Sequence, residues 1–217
     1  MKKMMTVCLI AMLALGVMGF GFAKWSDTIT AEVNVSTGSV LVGILDKGTN
    51  DQGPDPNVLP GINSEGKDVA SIVSLNSGTA IGNTGYFESI TETITNAYPY
   101  YAPSTTIEIA SLGSVPVKTE SLNILWSGAL ADNIQCAAWT VTYPEYTYSS
   151  TGAGSSTIET VTGTTFDALQ AAVMGVQLHE NDKLTIDLQV YFDQQSEQGA
   201  STTGTFTVQA SQWNEVL

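Results

Sequence analysis

"KLTIDLQVYFD", residues 183–193, decides the fold class. Leu184, Ile186, Leu188, Val190 and Phe192 fall on one side of an extended chain, and Thr185, Asp187, Gln189, Tyr191 and Asp193 on the other. That period of two is the mark of a half-buried strand. Shorter versions recur in "TTIEIA" (105–110), "SLNILW" (121–126), "AWTVTY" (138–143) and "TFTVQA" (205–210), with weaker ones in "VASIVSL" (69–75) and "ESITETIT" (88–95). The 27 threonines and 20 serines suit strands whose second face meets water. About eight strands are predicted, including two near the amino end, and strands of this number and length pack as two sheets, an all-β jelly-roll β-sandwich. One short helix interrupts them in "TTFDALQAAVMG" (164–175): Thr165 caps it, Asp167 complements its dipole, Phe166, Leu169 and Val173 share a face, and Gly175 ends it. It reads as a crossover lid over one sheet edge. Two stretches rich in turn residues, 46–68 and 144–163, read as long loops, the second with room for a hairpin.

The amino end has another character. Lys2 and Lys3 precede an almost wholly apolar run from Met4 to Phe22, and Gly21-Phe22-Ala23 supplies the small residues of a cleavage site, so residues 1–23 read as an export signal cut between Ala23 and Lys24 by signal peptidase. A retained membrane anchor is the alternative, since the run is just long enough to span a bilayer. Beyond residue 23 lie all 21 acidic residues against five lysines and no arginine, a net charge of −16. Nucleic acid is excluded as a partner, because phosphates must be neutralised by Lys or Arg. The charge favours solubility, or divalent cations bound between packed subunits. Once the signal is gone Cys136 is the one cysteine left, so no internal disulfide forms; in "NIQCAAW" it reads as a small core residue.

Candidate chemistry is sparse. His179, in "QLHEND", is the one histidine in the chain, so no His pair exists to hold zinc and the residue reads as part of a turn. No pair of carboxylates stands out for glycoside chemistry. Asp46, Asn50, Asp51, Asp55 and Asn57 could offer oxygens to calcium, though their spacing matches no EF-hand and the same residues build turns. "NVS" at 34–36 is a glycosylation sequon. Tyr98, Tyr100 and Tyr101 in "NAYPYYAP" either line a sugar platform or close one end of the sandwich, and closure is the reading preferred.

In "TITAEVNVS" (28–36), Ile29, Ala31, Val33 and Val35 make an apolar face. The parity then changes across Gly38, where Val40, Val42 and Ile44 begin the next set, so a separate amino-terminal strand precedes the domain. Such a strand can fold back on its own domain or add to the sheet of a neighbour. "AKWSDTITAEVNVSTGSV" (23–40) resembles the start of secreted proteins of the TasA/camelysin family. The carboxyl end, "GTFTVQASQWNEVL", resembles that family's last strand, with a closing motif at Gln212, Trp213 and Asn214. "ITNAYPYYAPSTTIEIASLGSVPVKTESLNIL" and "QLHENDKLTIDLQVYFDQ" look like its middle and penultimate strands. The resemblance implies a secreted biofilm-matrix fibre or bundling-pilus subunit that self-associates into filaments by donor-strand complementation. Residues 24–37 would be the donor strand, with Trp25, Ile29, Ala31, Val33 and Val35 as its contact positions, and 38–217 the jelly-roll domain. The camelysin name carries a metallopeptidase label, but His179 and Cys136 are too few soft ligands for a zinc site. No enzyme, cofactor or catalytic residue is expected. The competing expectation is a monomeric cell-surface β-sandwich that binds carbohydrate.

Overall fold

Alternating stretches become strands in the computed structural model, which describes residues 38–56, 67–148 and 154–214 together with residues 5, 6, 8, 10, 12 and 13. The chain divides into two units, Met1–Thr37 and Gly38–Leu217. The described residues of the first are helical. No helix among the described residues is long and apolar enough to cross a membrane. The described residues of the second unit are all-β apart from one short helix. Its strands are β1 (Val42–Thr49), β2 (Ser71–Ala80), β3 (Phe87–Ala97), β4 (Ser104–Ser111), β5 (Val117–Gly128), β6 (Ile134–Tyr148), β7 (Gly154–Gly163), β8 (Gln177–Leu178), β9 (Lys183–Phe192) and β10 (Ala200–Gln212), with helix α1 (Phe166–Val173) between β7 and β8.

All pairings are antiparallel, in the order β7-β6-β9-β4-β1-β3-β10-β5-β8, with β2 on the free side of β3. The ladder is thin at one place: β1 meets β3 only at Ile44↔Phe87. This joint separates a first sheet, β7-β6-β9-β4-β1, from a second, β2-β3-β10-β5-β8, and the pair curls into a jelly-roll-like sandwich. The inward stripe of β9 is Leu184, Ile186, Leu188, Val190 and Phe192, each 3% exposed or less, as the alternation predicts. It packs with Ile107 and Ile109 of β4, Ile90 and Ile94 of β3, Leu122 of β5 and Phe206 of β10 in one core. Each such side chain contributes roughly 1.5–3 kcal/mol on burial, so the core, not the ladder, holds the two sheets together.

The helix closes one end of that core. Thr165 accepts from Ala168 N at 3.2 Å, Leu169 and Val173 are fully buried, and Gly175 takes φ +86° just after the last turn. Each sheet clamps it. Trp139 of β6 donates its indole N–H to Thr165 O at 2.9 Å, and Thr119 of β5 donates its hydroxyl to Val173 O. Gly163 lets the indole lie flat on β7, because a Cβ there would sit 2.3 Å from Trp139 Cζ2.

Three expectations need correction. Among the described residues the strands number ten, and 144–163 follows the hairpin alternative rather than the long loop: β6 and β7 pair from Trp139↔Gly163 to Tyr148↔Gly154. Serine and threonine there signal half-exposed strands, and Pro144 is tolerated because β6 stops pairing with β9 at Thr142↔Thr185, leaving no partner on that side. In 46–68, Asp46–Thr49 belong to β1, while 57–66 lie outside the described residues. In the closing motif at Gln212, Trp213 and Asn214, Trp213 is 47% exposed, and the aromatic of β10 that the core takes up is the fully buried Phe206.

One inward position on β3 breaks the apolar stripe. Glu92, between Ile90 and Ile94, is 1% exposed, and its Oε1 has no hydrogen-bond partner within the protein. Burial raises its carboxyl from 4.5 to about 7, against the opposing effect of a hydrogen bond with Thr105. Between those two pH values the folded protein holds a proton that the unfolded chain has released, so stability falls as pH rises through that window. Glu92→Gln is expected to flatten that fall and to gain on the order of 3 kcal/mol above the window, with the two proteins converging below it in denaturant titrations at a series of pH values. Gly163→Ala is expected to push the indole off Thr165 and cost about 1–3 kcal/mol, read as a lower melting temperature.

Candidate functional site

The carboxylates considered for calcium are engaged in fixing the chain. Asp46 Oδ1 accepts from Gly48 N at 2.9 Å, and Asn50 Oδ1 from Ser104 N at 2.8 Å. Asp51 Oδ2 receives the Tyr101 hydroxyl at 2.8 Å and Ile72 N at 3.3 Å. Asp55, 2% exposed, accepts from Val69 N and Ala70 N at 3.2 Å each. Asn57 lies outside the described residues. Among the described residues no three His, Cys, Asp or Glu side chains converge on one point. Tyr101 is fully buried, stacked on Phe192 at 6.2 Å and beside Tyr98 at 5.7 Å, so this pair closes the end of the sandwich. Burial raises both phenols, and the neighbouring Asp51 and Asp55 raise them further. Cys136 is half-buried, and burial alone pushes its thiol up to about 11, the behaviour of a packing residue.

His179 belongs to a cluster the sequence does not announce. Its ring stacks on Tyr146 at 3.9 Å, and its Nε2 lies 2.8 Å from the Tyr148 hydroxyl and 2.9 Å from Gln177 Nε2. Asp182 Oδ2 accepts from both His179 N, at 2.7 Å, and the Tyr146 hydroxyl, at 2.5 Å. Burial and that aspartate push the Tyr146 phenol up to about 12. The β6–β7 hairpin is thereby tied to the β8–β9 turn. Between its inner side and α1 runs an open groove of about 450 Å³, lined by Tyr143, Tyr146, Val161, Ala172 and Met174 among others. Tyr148 and His179 stand 31 residues apart in different elements, which is why the cluster escapes a linear reading.

The donor positions Trp25, Ile29, Ala31, Val33 and Val35, the cleavage residues Ala23 and Lys24, and the sequon at 34–36 all lie outside the described residues. The domain's own end of that chain is described. β1 pairs β4 from Val42↔Ser111 to Thr49↔Thr105, but its other edge is unpaired except at Ile44. β10 pairs β3 only as far as Thr207↔Ser89, while its pairing with β5 continues to Gln212↔Val117. These two bare edges border a groove of about 460 Å³ lined by residues 40–42, Glu120 and residues 208–210. Val40 and Leu41 are 41% and 39% exposed there. The groove's mouth is fixed by the turn before β5: Leu112 N donates to Leu41 O at 2.8 Å and Val115 N to Ser39 O at 3.2 Å. A Cβ on Gly113 would stand 2.1 Å from Ser39 O, so only glycine admits so close a passage.

No family model and no curated protein matches the sequence. Among solved structures, the enzymatically active domain of tailspike protein 4 of bacteriophage CBA120 is similar over 79% of this chain and 19% of its own, at 8% identity and a TM-score of 0.23. A likeness that weak says nothing of function.

Replacing His179 with alanine removes both the stack on Tyr146 and the Nε2 contacts. Faster hydrogen exchange is expected at the amides of Tyr143 and of residues 145–148, with the core amides of β9 unchanged; equal protection in the two proteins would show that the cluster does not hold the hairpin.

Proposed function

We propose that the protein is a secreted structural subunit of an extracellular filament, polymerised by donation of the strand 24–37 into a neighbouring copy. What carries this reading is the groove between β1 and β10, where two strand edges lack partners and apolar side chains remain half exposed. A strand laid there would pair with edges that carry no ladder partner among the described residues, and alternate side chains would cover Val42 and Val208. Ile29, Ala31, Val33 and Val35 have the spacing for it. Since the donor of one copy enters the acceptor of the next, the contact is heterologous and extends without closing. Residues 1–23 then serve export and are lost before assembly.

A second reading is the carbohydrate-binding module. The observation in its favour is the groove beside α1, with Tyr143 and Tyr146 in its wall and Tyr148 50% exposed nearby. The tyrosines at 98 and 101, which raised that idea in the sequence, lie instead in the closed end of the core.

The two readings part on assembly. The exported chain carrying Val33→Asp and Val35→Asp keeps its acceptor and loses its donor; Val208→Asp does the reverse. Neither alone is expected to form filaments in electron micrographs, and mixing the two is expected to give complexes of two chains by size exclusion. Filaments from the Val33→Asp, Val35→Asp protein would rule out donation through this strand.

A further inference from the structure

The second sheet has an outer face on which the chain's acidity disappears. Where its four long strands run side by side, the outward positions are the odd residues of 71–77 in β2, 89–95 in β3, 203–207 in β10 and 123–127 in β5, and none is ionisable. The first sheet differs: Lys183, Asp187 and Glu108 stand on its outward side. In a chain of net charge −14, a neutral four-strand face is where two copies can approach without like-charge repulsion.

The side chains on that face are also arranged to meet their own copies. The register places Leu75, Thr91, Thr205 and Leu125 in one row across the four strands, and Val73, Thr93, Thr203 and Ser127 in the next. Leu75 and Leu125, at the two margins, are 58% and 69% exposed. A two-fold axis parallel to the strands and between β3 and β10 lays Leu75 on Leu125 of the partner subunit at both margins, with Thr91 over the partner's Thr205 between them. Such self-complementarity is what an isologous contact requires.

We propose that this face is a pairing surface for a second copy of the chain, distinct from the strand-donation groove. Four strands spaced about 4.8 Å apart and about seven residues long offer roughly 450 Å² per copy, near half of what a standard stable interface buries. A single pairing is therefore weak. Repeated along two filaments it becomes strong through multivalency, and side-by-side association of filaments follows if the filament reading holds.

The test uses the chain from Lys24 in a background carrying Val33→Asp and Val35→Asp, so that strand donation is silent and its failure cannot be mistaken for failure of the face. Sedimentation velocity at rising protein concentration is expected to show reversible dimers. Leu75→Glu with Leu125→Glu is expected to raise the dissociation constant about tenfold or more, since two carboxylates would oppose each other at each margin. Leu75→Lys with Leu125→Glu places opposite charges across the same margins and is expected to restore dimers in a salt-sensitive form, while Thr160→Glu on β7 leaves them unchanged. All of these positions are on the surface, and unchanged melting curves confirm folding. A chain that stays monomeric throughout, or dimers indifferent to the Leu75→Glu, Leu125→Glu pair, would overturn the proposal.

Discussion

Ile44 and Phe87 form the one residue pair by which β1 and β3 join the two sheets in backbone register. Elsewhere the sheets are bound by side-chain packing, by the clamp on α1 and by side-chain hydrogen bonds such as Asp46 N to Asn76 Oδ1 and Gln177 Nε2 to the Tyr148 hydroxyl. A joint of one pair lets the curled sheet fold over on its core, but it leaves β1 and the end of β10 with bare edges on either side of a gap. Bare edges are normally blunted by charge, proline or a covering loop. Here Glu120 is the one ionisable group in the groove's lining, and Val40, Leu41, Val42, Val208 and Ala210 supply most of the rest. Next to that gap, against the same part of β5, the core is finished by a helix held to the first sheet through Trp139 and to the second through Thr119.

Shortage of cations shapes how the acids are used. Lys183–Glu108 is the one salt bridge among the described residues, and Tyr86 donates to the same carboxylate. Burial alone would raise Glu108, but the Tyr86 and Lys183 bonds outweigh it and hold the group below its usual range. Elsewhere backbone N–H groups and phenols take the place of lysine, as at Asp51, Asp55 and Asp182. Glu92 sits against the core with one oxygen unpaired in the protein, and its raised pKa is the consequence. With charge concentrated in loops and on the first sheet, the outward rows of the second are left neutral.

Much of this fold is legible in the sequence. The inward stripe of β9, the cap at Thr165 and the buried face of α1 follow from period and spacing, because burial imposes the same repeat on every strand or helix that it covers. The β6–β7 hairpin was harder to read, since Ser, Thr and Gly serve turns and exposed strands alike. β8 is two residues long, too short to carry a period. Glu92 shows its burial in sequence only as an acid in phase with Ile90 and Ile94, and the alternation alone does not say which side faces in. The groove between β1 and β10 has no linear signature at all. It exists because β3 begins late relative to β10, a matter of register between strands more than a hundred residues apart.

Whether that groove takes a strand is open to direct measurement. The unit 38–217, labelled with nitrogen-15, can be titrated with a peptide of residues 24–37 and followed by amide chemical shifts. Strand addition predicts saturable shifts at Val42 and at Val208 to Ala210, with new protection of their amides from exchange, and none for a peptide carrying Val33→Asp and Val35→Asp. Shifts absent from these residues, or identical with the substituted peptide, would contradict assembly through the groove.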